Sequence, residues 1–446
     1  MSGIAEVLLD QGYEVTGSDM TSNAATLRLE SLGARCAVGH AAAHAVGADV
    51  VVTSSAIPAG NPEVMEALSR SIPVIPRVEM LAELMRVKYG VAVGGSHGKT
   101  TTTSLIAAVL TAAGLDPTVV VGGRLGARGS GAQSGRGEFL VAEADESDRS
   151  FLKLTPTIAV ITNIDREHLD AYGDMDQLQR AFVGFANRVP FYGAAVVCID
   201  DARIREILPQ LERRTITYGL DKSAALSARD LSVLPATSRF IACLNGQPLG
   251  AVDLPVPGTH NVTNALAAIA VGLELGASFA EVTTGLQAFV GVERRFQARG
   301  EAGDVTFIDD YGHHPTEIRA VLETLHCAAQ GRRTVVLFQP HRYSRTRALW
   351  SEFGSAFARA DRVLLADVYA AGEEPLPDVT SRALADAIAT TGTRATYAGD
   401  LAAATAALEA LVRPGDVVLT LGAGDVWKAG QQVLDSLQVH PTPGAQ

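Results

Sequence analysis

Short apolar runs alternate with helical stretches from one end of the chain to the other. Asp49–Thr53, Val91–Gly94, Ile158–Thr162, Thr334–Phe338, Val363–Ala366 and Val417–Leu421 each read as a strand. Their apolar residues fall on both faces, the pattern of strands covered on two sides in a parallel sheet. Phe139–Glu143 reads as a further strand. Alanine-rich pieces such as Leu401–Leu411 read as helices. The alternation predicts an α/β protein with parallel or mixed sheets. At about 150 residues per domain, 446 residues predict roughly three domains. Breaks are expected near Lys88–Gly90 and Gly291–Arg294, giving domains 1–88, 89–292 and 293–446. His440–Gln446, with two prolines and a glycine, is expected to be loose.

One segment carries chemistry on its own. The strand at Val91 enters Gly94-Gly-Ser-His-Gly-Lys-Thr100, and the chain then turns helical, with Leu105, Ile106, Val109 and Leu110 on one face. Gly114 suits the end of that helix. Glycines let backbone N–H groups converge on phosphate oxygens, and a helix N-terminus favours anions. Lys99 would hold the β- and γ-phosphates of ATP, and Thr100 a magnesium ion. The loop is one residue shorter than the strict phosphate-loop pattern, which would place glycine at Val93.

Composition narrows the partners. With 37 Lys and Arg against 49 Asp and Glu, the net charge is −12, which excludes broad nucleic-acid binding but not a small anionic substrate. None of the four cysteines forms a C-x-x-C pair, so no zinc or redox motif is present, and their scatter fits a reducing compartment. No run approaches about 18 apolar residues and no signal peptide is read, so the expectation is a cytoplasmic protein without membrane insertion.

Two polar clusters follow buried strands. Glu143-Ala-Asp-Glu-Ser-Asp148 places four carboxylates in six residues, which repel unless a cation or solvent relieves them. Magnesium accompanying ATP is a suitable cation, whereas a solvated acidic turn is the commoner explanation of such a run taken alone. Asn163-Ile-Asp-Arg-Glu-His168 follows the strand at Ile158. Such strand ends are where α/β proteins place ligands, and His168 is a candidate for a second metal. Asn264 lies near the start of an alanine-rich helical stretch, Ala265–Leu275, and reads most simply as its cap.

Taken in order, these segments resemble the Mur ligase family. They continue with Pro257-Gly-Thr-His-Asn-Val-Thr-Asn264, Arg294-Arg-Phe296, Asp309-Asp-Tyr-Gly-His-His-Pro315 and Gln339-Pro-His-Arg-Tyr-Ser-Arg-Thr346, so that the resemblance covers nearly the whole chain. It implies a UDP-sugar domain, a central phosphate-loop ATPase domain and a C-terminal Rossmann-like domain. The implied reaction is ATP-dependent amide formation between the lactyl carboxylate of UDP-N-acetylmuramate and L-alanine, in a monomer or homodimer. Gly95, Ser96, His97, Gly98, Lys99, Thr100 and Thr101 are implied at the ATP phosphates. Thr100 and Glu143 are implied at a first magnesium and His168 at a second. His260, Asn261 and Asn264 are implied near adenine, and Arg295 and Asp310 at ATP. Tyr311, His313, Arg342 and Arg345 are implied at the amino-acid site, with His313 a candidate base. Two guanidinium groups can grip a carboxylate bidentately.

The family normally opens with a strand and a glycine-rich loop before Met-Ser-Gly-Ile-Ala, where this chain begins at Met1. The UDP-sugar domain is therefore expected to lack that strand and to expose apolar surface. Asp19, His40, Ser54 and Ser55 are its remaining candidates for the nucleotide sugar. Two alternatives stand beside the main expectation. One is a ligase attaching a recycled tripeptide to the same nucleotide sugar. The other is an inactive nucleotide-binding protein.

Overall fold

The computed structural model describes residues 1–54, 56–125 and 130–439. Ser55 and the expected loose tail His440–Gln446 lie outside the described residues. The chain divides into two compact units. The first comprises Met1–Leu231, Phe240–Leu254 and Val262–Val290, and the second Ser232–Arg239, Pro255–Asn261 and Gly291–Gln446.

The first unit begins with two separate parallel strand pairs. β1 (Thr16–Asp19) pairs with β2 (Arg35–Val38), and β3 (Val51–Thr53) with β4 (Val74–Pro76). No residue of these four strands is fully buried. The segment Asp49–Thr53, read as a buried strand, is thus corrected to a shorter, half-buried one. A two-stranded sheet consists of two edges, so solvent reaches even apolar positions.

The rest of the first unit is organised by a ten-stranded sheet. Its members are β5 (Tyr89–Gly94), β6 (Thr118–Leu125), β7 (Ser130–Gln133), β8 (Phe139–Glu143), β9 (Ile158–Ile161), β10 (Ala194–Cys198), β11 (Thr215–Gly219), β12 (Leu226–Val233), β13 (Ser238–Leu244) and β14 (Gln247–Leu254). The order is β14-β13-β12-β11-β10-β9-β5-β8-β6-β7. β5 lies between β8 and β9, parallel to both, with Val91 opposite Val141 and Ile158. Every residue of β5 after Tyr89 is buried, as its two-sided apolar pattern requires.

β5 delivers the chain into the helix Lys99–Ala112, which buries Leu105, Ile106, Val109 and Leu110. That helix stops where expected, with Gly114 left-handed at φ +72° just past its end. Its other neighbours come close. A Cβ added at Gly285, in the helix Phe279–Gln287, would lie 2.6 Å from Val109 Cα, and one at Gly272 would lie 2.6 Å from Val109 Cγ1. Two glycines therefore set how closely the phosphate-loop helix is packed.

The second unit holds a six-stranded sheet of order β15-β16-β20-β17-β18-β19. The strands are β15 (Gln297–Ala302), β16 (Val305–Asp310), β17 (Thr334–Phe338), β18 (Arg362–Ala366), β19 (Ala395–Gly399) and β20 (Val417–Leu421). β15 is an antiparallel edge and the other neighbours are parallel. One face packs on Ile318, Leu322, Leu325, Phe353 and Leu384, and the other on Ala404, Leu408, Val426 and Val433. A parallel sheet with helices on both faces is the Rossmann-like arrangement expected. No helix among the described residues is long and apolar enough to cross a membrane.

Gly285→Ala tests the close approach. Alanine favours a helix, but its methyl would meet backbone atoms of Val109 and Ala108, which cannot rotate aside. Overpacking should win, lowering stability by about 1–3 kcal/mol. Urea unfolding of the two proteins measures this, and an equal or more stable variant would refute it.

Candidate active site

The phosphate loop is built from β5, the turn after it and the first turn of Lys99–Ala112. Gly98 is the N-cap residue in the left-handed region, and no side chain caps this helix. The first-turn N–H groups thus have no side-chain acceptor, which makes the helix end suited to an anion. Both loop glycines are required by packing. A Cβ at Gly95 would lie 2.1 Å from Thr162 Oγ1, and one at Gly98 2.8 Å from Asn264 Oδ1.

Several residues expected at the phosphates brace the loop. Ser96 N–H donates to Asn163 O at 3.1 Å and His97 N–H to Asn163 Oδ1 at 2.8 Å. Ser96 Oγ accepts the Asp165 N–H at 2.8 Å, and His97 Nε2 lies 3.1 Å from Asp165 Oδ2. Asn264 Oδ1 accepts the Thr102 hydroxyl at 3.1 Å. Asn264 sits inside the helix Thr259–Glu274, so its reading as a cap is corrected. The helix starts earlier than the alanine-rich stretch, and Asn264 instead ties it to the phosphate-loop helix. Thr101 is buried in that helix's first turn.

Lys99 Nζ donates to Gly95 O at 2.6 Å, Ser96 O at 3.2 Å and Glu146 Oε1 at 3.0 Å, with Glu146 Oε2 at 2.8 Å. Burial alone would lower the lysine's pKa, but Glu146, Asp145 and Glu167 outweigh it and raise it. Burial pushes Glu146 up to about 7, against the opposing pull of Lys99. The Tyr172 hydroxyl holds Glu146 O at 2.6 Å, fixing the turn that carries it.

Glu146 and Glu167, not singled out in the sequence, join His168. His168 Nε2 lies 3.9 Å from Glu146 Oε1 and 3.9 Å from Glu167 Oε2. One ligand atom from each of the three residues falls within 4.8 Å of the others. Glu143 ends β8 nearby in sequence, and its Oε2 accepts the Gly122 N–H at 3.0 Å while Oε1 is buried without a hydrogen-bond partner. An orphaned buried carboxylate oxygen fits a hard cation such as magnesium, which takes oxygen ligands.

In the second unit, three adjacent pairs of like residues divide their tasks. Arg294 is committed to the fold, bonding Asp309 Oδ2 at 2.8 Å, Gly424 O at 3.1 Å and Gly422 O at 2.6 Å. Arg295 reaches Glu317 Oε1 at 3.4 Å, and both guanidinium groups lie over the Tyr311 ring, Arg294 at 5.2 Å and Arg295 at 5.3 Å. Asp310 accepts N–H groups of Phe296 at 2.7 Å and Gly312 at 2.6 Å. Burial raises Asp310 to about 6, opposed by Arg295. His314 caps the helix Pro315–Ala329, whereas His313 faces Tyr311 O through Nδ1 at 3.2 Å. Burial and then Arg295 lower His260 to about 4. Asn261 Nδ2 donates to Pro257 O at 2.7 Å, closing the turn before it.

A ring cluster continues from His313. His313 and His341 centroids are 5.7 Å apart, and His341 stacks on Tyr369 at 5.4 Å and 10°. Arg345 contacts His341 Nδ1 at 3.2 Å, and Arg342, exposed at φ +68°, starts the helix Tyr343–Ala348. Burial, aided by His313 and the arginines, lowers His341 to about 4. The structure thus adds His341 and Tyr369 to Tyr311, His313, Arg342 and Arg345. Among the N-terminal candidates, Asp19 ends β1 and accepts the Thr21 N–H at 3.2 Å, His40 follows β2, and Ser54 follows β3. Ser55 lies outside the described residues.

Comparison with known proteins places these features in context. Residues 1–89 match the Mur ligase family catalytic domain, 93–272 the Mur ligase middle domain and 294–424 the Mur ligase glutamate ligase domain. The chain is 53% identical over 442 residues to the UDP-N-acetylmuramate--L-alanine ligase of Geotalea uraniireducens, covering 98% of this chain and 96% of that one. A crystal structure of the UDP-N-acetylmuramate-alanine ligase of Thermotoga maritima superposes with a TM-score of 0.81 at 29% identity, covering 98% of this chain and 96% of that one. A murein peptide ligase from Psychrobacter arcticus shares the fold, with a TM-score of 0.69 at 23% identity over 100% of this chain and 97% of that one.

His260 makes a pH prediction. Its folded pKa of about 4 lies below the ordinary 6.5, so it contributes stability above pH 6.5 that is lost as pH falls toward 4. Asp310, at about 6 against 3.8, acts oppositely, contributing most below 3.8 and losing its contribution as pH rises through 6. His260→Gln should therefore lose about 1–2 kcal/mol less stability than the parent between pH 7 and pH 5. Denaturant midpoints at the two pH values test this, and parallel losses would exclude it.

Proposed function

Because this chain belongs to the Mur ligase family, we propose that it joins L-alanine to the lactyl carboxylate of UDP-N-acetylmuramate, converting ATP to ADP and phosphate. The observation that carries the reading is the uncapped start of Lys99–Ala112 with Lys99 held on Glu146. The relative at 53% identity bears the alanine reaction in its name, while the murein peptide ligase is 23% identical, and this favours alanine over a recycled tripeptide.

A carboxylate is a poor acyl donor because oxide would have to leave. An oxygen of the lactyl carboxylate attacks the γ-phosphorus and ADP departs. Lys99 and the helix N-terminus offset charge on the transferring group. Glu143 and Thr100 would hold one magnesium, and Glu146, Glu167 and His168 a second. Bound there, magnesium supplies charge neutralisation at the phosphates. The neutral amine of alanine then attacks the acyl carbon, phosphate leaves and the amide forms, with one proton passing from nitrogen to a base. His313, whose Nδ1 lies 3.2 Å from Tyr311 O, is assigned that role because imidazole takes a proton near neutral pH. Arg345 and Arg342 suit the alanine carboxylate. His260 and Asn261 are assigned to the adenine end, with Arg295 and Asp310 toward ATP. Asp19, His40 and Ser54 are assigned to the nucleotide sugar. The compartment proposed is the cytoplasm, where ATP is available.

Phosphate release should require ATP, UDP-N-acetylmuramate and L-alanine together, and should fall at least about 100-fold in Lys99→Ala. Release by that variant at the parent rate would sink the phosphate-loop assignment. Release with the tripeptide but not alanine would select the recycling ligase, and nucleotide binding with no release would select the inactive reading. Arg345→Ala should raise the alanine KM about tenfold or more with a smaller change in the ATP KM. Equal changes in both would remove Arg345 from the amino-acid site.

A further inference from the structure

Away from the phosphate loop, four groups meet on one carboxylate in the first unit. Glu63 lies in the first turn of the helix Pro62–Ser69. Its Oε2 accepts the Ser18 hydroxyl at 2.9 Å. Its Oε1 accepts the Ala41 N–H at 3.2 Å and faces His44 Nδ1 at 2.9 Å. Ser18 Oγ also lies 2.9 Å from His40 Nδ1, which stands 3.7 Å from Glu63 Oε1, beyond hydrogen-bond reach. The His40 and Glu63 side chains are only 16% and 18% exposed, so neither geometry is set by solvent.

The hydrogens follow from the donors available. A hydroxyl carries one proton, and that of Ser18 is directed to the carboxylate. Toward His40 the same oxygen can only accept, so His40 Nδ1 carries hydrogen. In the neutral imidazole Nε2 is then an acceptor. Burial pushes Glu63 up, but hydrogen bonds from Ser18, His44 and Ala41 outweigh it and hold the carboxyl below its ordinary range, keeping it an acceptor. Ser18 is the penultimate residue of β1, next to Asp19, and His40 lies just beyond β2. These are the carboxyl ends of two parallel strands, the edge at which such sheets bind ligands.

We propose that Glu63 is a positioning residue for the nucleotide sugar: through Ser18 it fixes His40 in the tautomer whose Nε2 accepts an N–H or O–H from that ligand. The ligand's identity rests on the ligase reading above. The site would accept a pyrimidine edge bearing N–H or a sugar hydroxyl, and disfavour a group presenting only a lone pair. His44 shares the carboxylate but stands outside this relay, because its side-chain contact among the described residues is with Glu63.

The test combines ¹⁵N NMR of histidine-labelled full-length protein with calorimetric titration of UDP-N-acetylmuramate. The parent should show His40 protonated at Nδ1. Glu63→Gln, which sets an amide N–H against a donor, should lose that signature and weaken binding about tenfold, with ADP affinity changed by less than about twofold. Ser18→Ala removes the intermediate and should do the same, which serves if Glu63→Gln fails to fold. His44→Gln should keep the signature and bind within about twofold. Protonation of His40 at Nε2 in the parent would overturn the proposal. So would unchanged affinity in variants that have lost the Nδ1 signature, or failure of the parent to bind the nucleotide sugar. A parent that binds with the relay intact but releases no phosphate would strike the ligase reading alone.

Discussion

An ammonium group enclosed in a loop of glycines needs an anion, and much of the first unit is arranged around that need. Lys99 is closed in by its own loop carbonyls and by Glu146, with Asp145 and Glu167 adding negative potential. The loop itself is pinned from the exit of β9 by Asn163 and Asp165, and its helix is pinned by Asn264 and by the two glycines against Val109. Rigid surroundings fix where the charge sits, while the uncapped helix end leaves it somewhere to act. In the proposed reaction a phosphate oxygen would replace Glu146 on Lys99. Because burial already draws this carboxyl toward protonation, exchanging it for phosphate costs less than displacing a solvated carboxylate would.

The second unit solves a different problem with doubled residues. Arg294 and Arg295, Asp309 and Asp310, and His313 and His314 are neighbours in sequence but diverge in role. Along β16 side chains alternate between faces, so Asp309 meets Arg294 and Thr420 while Asp310 meets backbone donors before the turn. His314 holds the helix cap while His313 joins the rings of Tyr311 and His341, and both arginines lie over Tyr311.

What could be read beforehand follows from burial. β8, β17 and β20 begin and end where their apolar runs do, because a strand covered on both faces has no room for polar side chains except at its ends. β12, at Leu226–Val233, mixes exposed and buried positions and carries no such run, so it was not legible. The phosphate loop was legible because its chemistry is local. Glu146 was not, since nothing within an acidic run tells which carboxylate turns inward. That depends on how β8 exits and on Tyr172 holding the turn. Nor was Glu167, which lies in a separate polar segment. Asn264 misled because Asn is common at helix starts, and only the preceding residues Thr259–Thr263, helical themselves, decide otherwise. The Glu63 cluster joins residues far apart in sequence, and no spacing rule connects them.

The helix Thr259–Glu274 belongs to both compact units, its first residues to the second and the remainder to the first. Gly258, just before it, sits where a Cβ would lie 2.6 Å from Thr324 Oγ1, and His260 feels Arg295 and Glu317. During synthesis the body of this helix can dock on the nascent central sheet long before those partners leave the ribosome, an interval of several seconds at about 5–20 residues per second. Its leading turn must wait. The histidine placed there is thus among the last groups of this helix to find its setting, and a chain halted in that interval carries a docked helix whose first turn is unfinished.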